Sequence, residues 1–227
     1  MRKKATLALS LIIIFAFGCL TGCAKEVIVR PIQTAPAATQ DSTPDGDKAS
    51  YPKELSSEDV GDFENAFNDE SNYGFLLSEY ADVRDANLSQ VFYIGAGLSA
   101  PSNADEIRDA SLAEMEYSPD CDSTILTAQQ VSDFLSEKTG YTLAEMSSGL
   151  TWQYIEAYDA YVYWHGDTNF VSISCTGGRQ IAPDTYEIEY KLSGGFYDDS
   201  GNLLSGGMVT VRTSDNNVQF VSNSMHS

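Results

Sequence analysis

Most of the side chains able to do chemistry gather in YDAYVYWHGDTNF, residues 158–170, where Tyr161, Tyr163 and Trp164 lead into His165 and Asp167. An imidazole beside a carboxylate is the pairing used for general-base work, so His165 and Asp167 mark a candidate enzymatic site. A partner nucleophile does not accompany them: there is no G-x-S-x-G motif and no cysteine next to a histidine. The other histidine, His226, is the next-to-last residue, and no H-E-x-x-H spacing supports a metal site. The residues call for no cofactor and no metal. Clustered Tyr and Trp rings also suit docking, because they offer large contact areas at small entropic cost, so Tyr161, Tyr163, Trp164, His165 and Asp167 form a candidate ligand-binding set. The competing reading makes the same rings a core junction and leaves Asp167-Thr168-Asn169 as turn chemistry.

Two further groups carry chemical potential. Cys121, in the acidic loop SPDCDS, and Cys175, in an expected strand, are a candidate disulfide that would close a long loop. DDSGN, residues 198–202, alternates oxygen donors as a calcium loop does, yet lacks a bidentate glutamate and reads as a hairpin turn.

The chain has 227 residues and a net charge of −20. It opens MRKKATLALSLIIIFAFGCLTGC, with three cations before an apolar run too short for a spanning helix, which needs roughly 20 apolar residues. This is the plan of a secretory signal. Its end, Leu20-Thr21-Gly22-Cys23, resembles the lipobox of bacterial lipoproteins. That resemblance implies cleavage after Gly22, lipid on Cys23, and attachment at the outer face of the bacterial cytoplasmic membrane. More than one acyl chain suffices for stable anchoring. Residues 1–22 contain three cations and no anion, so their removal takes the net charge from −20 to −23. A body this acidic is repelled by phosphate backbones, which excludes nucleic-acid partners. Residues 23–52, rich in Ala, Thr, Pro, Asp and Ser, read as a lipidated flexible tether reaching roughly 30 Å.

Residues 53–227 read as a single α+β domain, with short helices over 53–150 packed on a twisted antiparallel sheet of at least four strands over 151–227. Ser56 or Ser57 caps an expected helix carrying Val60, Phe63 and Phe67, and further helices are expected over 88–93 and from Ser102 or Asn103. Thr127 with Gln130, and Thr142 with Glu145, form capping boxes for two more, ended at Gly140 and Gly149. Residues 158–164 are expected as a short helix or an extended stretch feeding the first strand. NFVSISC, TYEIEYKL, GGMVTVRT and NVQFVSNS then alternate as strands of a meander.

The closing strands resemble the sheet of cystatin-like and NTF2-like proteins. The lipobox, the acidic tether, TAQQVSDFLSEKTGYTLAEM, Trp152 with Tyr154, and YDAYVYWHGDTN together are similar to a group of surface lipoproteins of Gram-positive bacteria. The expected function is a lipid-anchored extracytoplasmic binding domain whose partner is an envelope protein or a glycan. The alternative is a cell-envelope enzyme built around His165 and Asp167.

Overall fold

The computed structural model describes residues 50–166, 171–197, 201, 203–214 and 217–226. The signal, Cys23, nearly all of the tether, and Asp167 lie outside those residues. In chain order the elements are β1 (Lys53–Glu54), α1 (Ser57–Phe67), α2 (Glu70–Tyr73), α3 (Leu88–Phe92), α4 (Ala104–Ala113), β2 (Asp122–Thr127) and α5 (Ala128–Thr139). They continue with β3 (Gln153–Ile155), β4 (Ala160–His165), β5 (Ser172–Ala182), β6 (Thr185–Tyr197), β7 (Leu203–Ser214) and β8 (Asn217–His226). The architecture is α+β, with most helices ahead of the main sheet.

That sheet is antiparallel in the order β1-β5-β6-β7-β8. Ile173, Ile188, Tyr190, Leu192, Val209, Val211, Val218 and Phe220 are buried on one face. Their neighbours Ser172, Ser174, Glu189 and Lys191 are exposed on the other, as period-two side-chain alternation requires. Phe63 and Phe67 of α1 and Val131, Phe134 and Leu135 of α5 close the apolar face into one core. Local chemistry sets those helices. Ser56 Oγ accepts from Asp59 N at 3.2 Å while Asp59 Oδ2 accepts from Ser56 N. Thr127 and Gln130 do the same for α5, which ends on Gly140 in the left-handed region.

Side chains close part of one edge of the sheet, and backbone pairing closes part of the other. The backbone N–H groups of Val171, Ile173 and Cys175, alternate residues along the outer edge of β5, donate to Tyr73 Oη, Asn68 Oδ1 and Glu64 Oε2. On the far edge, Tyr80 and Asn223 exchange backbone bonds of 2.9 and 2.8 Å. Each device removes a template for stray strand pairing. Tyr190 locks this corner. Its hydroxyl proton is shared between Leu76 O at 2.9 Å and Asn223 Oδ1 at 3.0 Å. Glycine at 207 makes room for it, since a Cβ there would stand 2.9 Å from Tyr190 Oη and 2.3 Å from Ser224 O.

A second antiparallel sheet, in the order β2-β4-β3, was not expected from the sequence. It corrects two readings. Residues 122–127 form a strand inside the supposed helical half, and residues 160–165 are the centre of this small sheet, not a lead-in to the large one. Ile125, Ile155, Ala160 and Val162 pack on one face against Ile107 of α4. Leu126, Tyr161 and Tyr163, on the other face, join the main core. Both faces are covered, so β4 shows no polar alternation, and its period-two signal is lost. The segment after Thr142 also falls short of a helix: it makes its capping box but forms a 3-10 turn over Leu143–Glu145, and Gly149 lies beyond that turn.

Candidate functional site

The pleat of β4 divides the expected binding set. Tyr161, Tyr163 and His165 point one way, and Val162 and Trp164 the other. Trp164 is half-buried against the small core, and its Nε1 donates to Ser111 Oγ at 3.0 Å. Ser111 is fully buried and donates in turn to Gln153 Oε1 at 2.6 Å. Trp164 therefore ties β4 and β3 to α4 and belongs to no surface shared with His165. The pairing of His165 with Asp167 lies outside the described residues.

His165 is half-buried, and both its ring nitrogens have partners. Nδ1 stands 2.9 Å from Gly166 O, and Nε2 stands 2.9 Å from Thr124 Oγ1. A carbonyl can only accept, so Nδ1 carries the proton, and in the neutral ring Nε2 accepts from the threonine hydroxyl. The base lone pair is thus occupied by a residue of the neighbouring strand. The rings around it are occupied too. Tyr163 stacks on His165 at 5.9 Å and on Trp152 at 5.2 Å, with Tyr93 edge-on to Tyr163 at 5.7 Å.

These contacts continue as a chain of rings through the core. From Trp152 it runs to Phe92, Phe134, Phe75, Phe220, Phe67, Phe63 and Tyr186, with successive centroids between 4.4 and 6.3 Å apart. Each such pair contributes about 0.5–1.5 kcal/mol beyond its buried area. The aromatic block is the outer end of this spine, and the ring faces a ligand would stack on are largely used internally. Tyr154 and Tyr161 form a side pair at 5.1 Å. The exposed Tyr154 hydroxyl donates to Asp159 Oδ1 at 2.7 Å, and this bond is the main cause of its raised pKa.

The candidate disulfide is not formed: Cys121 and Cys175 are both free. Cys121 is exposed next to the start of β2, whereas Cys175 lies in the large sheet opposite Tyr190, so the thiols belong to different sheets. Burial, aided by Glu64, pushes the Cys175 thiol up to about 12, which keeps it protonated and unreactive at neutral pH. Among the described residues no group of three His, Cys, Asp or Glu side chains is placed to hold a metal ion. No described helix is long and apolar enough to cross a membrane.

A different feature offers open binding chemistry. β5 last pairs with β6 at Ser172↔Ser193, and β8 last pairs with β7 at His226↔Gly206. Beyond these points β6 and β7 pair with each other alone, at Phe196↔Leu204 and Tyr197↔Leu203. Among the described residues no third strand meets either outer edge of this arm. Adjacent pairs face opposite ways, so Phe196 and Leu204 share one face and Tyr197 and Leu203 the other. The arm is therefore apolar on both faces. Tyr197 is 61% and Leu203 49% exposed.

Beside the arm lies a cleft of about 250 Å³, lined by Phe196, Tyr197 and Leu204 of the arm and by both apolar and polar groups across from it, among them Leu77, Glu79 and Asn87. Arg84, next in the chain to Asp85, is committed elsewhere. It grips Asp82 through Nε at 3.0 Å and Nη2 at 2.6 Å, and its guanidinium lies 5.3 Å from the Tyr141 ring. Hydrogen bonding from Arg84 pulls Asp82 down to about 2.

Sequence reading took this region as an ordinary hairpin around DDSGN, of which only Gly201 is among the described residues. The available signal was the doubling FY before the turn and LL after it, which breaks the alternation of a strand with one wet face. No protein-family model, curated protein or solved structure matches this chain.

Proposed function

We propose that the chain is a lipid-anchored extracytoplasmic interaction domain of the bacterial cell envelope, held at the outer face of the cytoplasmic membrane through Cys23. The reading of the attachment rests on the signal and on the resemblance of Leu20-Thr21-Gly22-Cys23 to a lipobox. The observation that carries the interaction reading is the arm. An isolated two-stranded hairpin is marginal in water, and one that sets Tyr197 and Leu203 out to solvent gains stability from a partner. The occupied ring nitrogens of His165 favour this reading over an enzyme at that position.

Two measurements test the proposal in the native bacterial host. Cys23→Ala should move the protein out of the membrane fraction, and retention there would remove the lipid anchor from the account. A photocrosslinking amino acid at position 197 should give an adduct with an envelope component. The same probe at position 117, where the tyrosine is 70% exposed but far from the arm in sequence, serves as the control. Equal labelling at both positions would dismiss the arm as an interaction site.

A further inference from the structure

Helices α1 and α5 cover one face of the main sheet, and residues such as Ser174, Glu189, Lys191, Met208 and Ser224 lie exposed on the other. The segment around Tyr80 gives that open face a rim. Tyr80 pairs through its backbone with Asn223 of β8 and buries its ring, and its neighbour Glu79 lines the outer side. Between Glu79 and Glu187 of β6 lies a trough of about 350 Å³, floored by Met208 and Thr210 of β7 and by Ser222 and Ser224 of β8. Its volume falls within the roughly 300–1,000 Å³ of small-molecule sites.

The groups in the trough select a ligand rich in hydroxyls. Thr210 stands opposite Ser222 and Met208 opposite Ser224, so the backbones of both strands are spent in the ladder and recognition falls to side chains. The hydroxyls of Thr210 and Ser222 bond to no described residue, whereas Ser224 Oγ donates to Met208 O at 3.3 Å and keeps its lone pairs. With strands about 4.8 Å apart and alternate residues about 6.8 Å apart, the three oxygens span a patch the breadth of one pyranose ring. A hydroxyl both donates and accepts, which matches an alcohol, and a carboxylate accepts from one. Glu187 is set for that role: Arg179 holds its Oε2 through Nε at 2.7 Å and Nη2 at 2.6 Å, which leaves Oε1 open. This ion pair also leaves Glu187 little pull on a second cation. No lysine or arginine lines the trough, so an anionic ligand meets only repulsion there from a chain of net charge −20. Met208, 38% exposed, is the main apolar contact, too little for a hydrophobic ligand but suited to the C–H face of a sugar.

We propose that this trough binds one sugar ring of a neutral glycan. Thr210, Ser222 and Ser224 exchange hydrogen bonds with its hydroxyls, Glu79 and Oε1 of Glu187 accept from them, and Met208 lies against its C–H face. Arg179 is a positioning residue, acting through Glu187. The trough gives the interaction domain a second surface, separate from the arm.

The test uses the full chain in a detergent without sugar head groups. Saturation-transfer NMR measures the binding of four neutral tetrasaccharides, built from glucose, galactose, mannose or N-acetylglucosamine. At least one should bind saturably. Thr210→Val/Ser222→Val, which keeps strand-forming side chains, should weaken it at least about fivefold, as expected for two lost hydrogen bonds. Ser222→Ala repeats the comparison with a smaller perturbation and should weaken it about twofold or more. Ser172→Val/Ser174→Val, at exposed positions of β5 outside the trough, should change it less than about twofold, and all three variants should unfold within about 2 °C of the parent. Failure of all four tetrasaccharides would overturn the proposal, as would equal losses in the two double variants. Tighter binding of tetragalacturonate, or of the cationic glucosamine tetramer, than of every neutral sugar would also overturn it, by identifying an anion or a cation site. Sugar binding and crosslinking at position 197 fail separately, because the trough includes neither Tyr197 nor Leu203.

Discussion

Replacing His165 by alanine separates a structural role for the aromatic block from a surface role. The imidazole receives a hydrogen bond from Thr124 at 2.9 Å and lies 5.9 Å from Tyr163 and 5.7 Å from Tyr93. A net hydrogen bond contributes about 0.5–1.5 kcal/mol, and an aromatic contact contributes about as much. The bond to the exposed Gly166 carbonyl adds little, because water replaces it. The expected loss is about 1–2.5 kcal/mol, or roughly 3–8 °C in Tm for a domain of this size. Thr124→Val keeps the shape and removes the hydroxyl. A double-mutant cycle by urea unfolding should therefore give a coupling of about 1 kcal/mol between the two positions. Additivity within about 0.3 kcal/mol, or a His165→Ala loss below about 0.5 kcal/mol as at ordinary surface sites, would refute the assignment of His165 to the spine.

Gly207→Ala should cost about 1–3 kcal/mol by urea unfolding, because the new methyl meets Ser224 O and Tyr190 Oη, whereas Gly149→Ala, with open space around its Cβ, should be neutral or slightly stabilising. Site-resolved mass spectrometry after brief iodoacetamide treatment at pH 7 should find Cys121 alkylated and Cys175 intact in the folded protein; comparable labelling would contradict the buried, protonated Cys175 thiol. Asp82 has a folded pKa of about 2 against 3.8, so it binds fewer protons when folded, and its contribution is present above about pH 4 and lost as pH falls towards 2. Asp82→Asn should remove that part of the acid-unfolding curve, and an unchanged curve would mean that the Arg84 pair contributes nothing to stability.

The α+β architecture was legible because its signals are local. The meander from Ser172 onward alternates with period two, and the boxes at Ser56 and Thr127 form as their spacing demands. The small sheet was illegible for a physical reason. β4 is covered by α4 on one side and the main core on the other, so AYVYWH carries no polar face to reveal its period. β2 gives a six-residue signal immediately before the Thr127 cap, and the stronger helical pattern that follows masks it. The pairing that makes both strands intelligible, Thr124↔Tyr163 and Leu126↔Tyr161, joins residues far apart in sequence and has no local trace.

The same limit explains why sequence reading placed the binding surface in the block at 158–170. AYVYWH and the two halves of the arm, FY and LL, are both apolar runs without alternation, and composition alone ranks the first higher because it has more aromatic rings. What separates them is the number of neighbouring strands. β4 has a partner on each side and a layer on each face, so its rings satisfy one another, as the 5.2 Å stack of Trp152 on Tyr163 illustrates. Among the described residues the arm has no outer partner beyond Ser193 and Gly206, and its Tyr197 and Leu203 stay exposed. A lone run of mixed apolar residues is thus ambiguous, but a doubled apolar pair whose side chains stay exposed, as at Tyr197 and Leu203, points outward. Binding capacity follows unmet contacts more than aromatic count, and by that criterion the exposed Tyr197 and Leu203 are the stronger candidates.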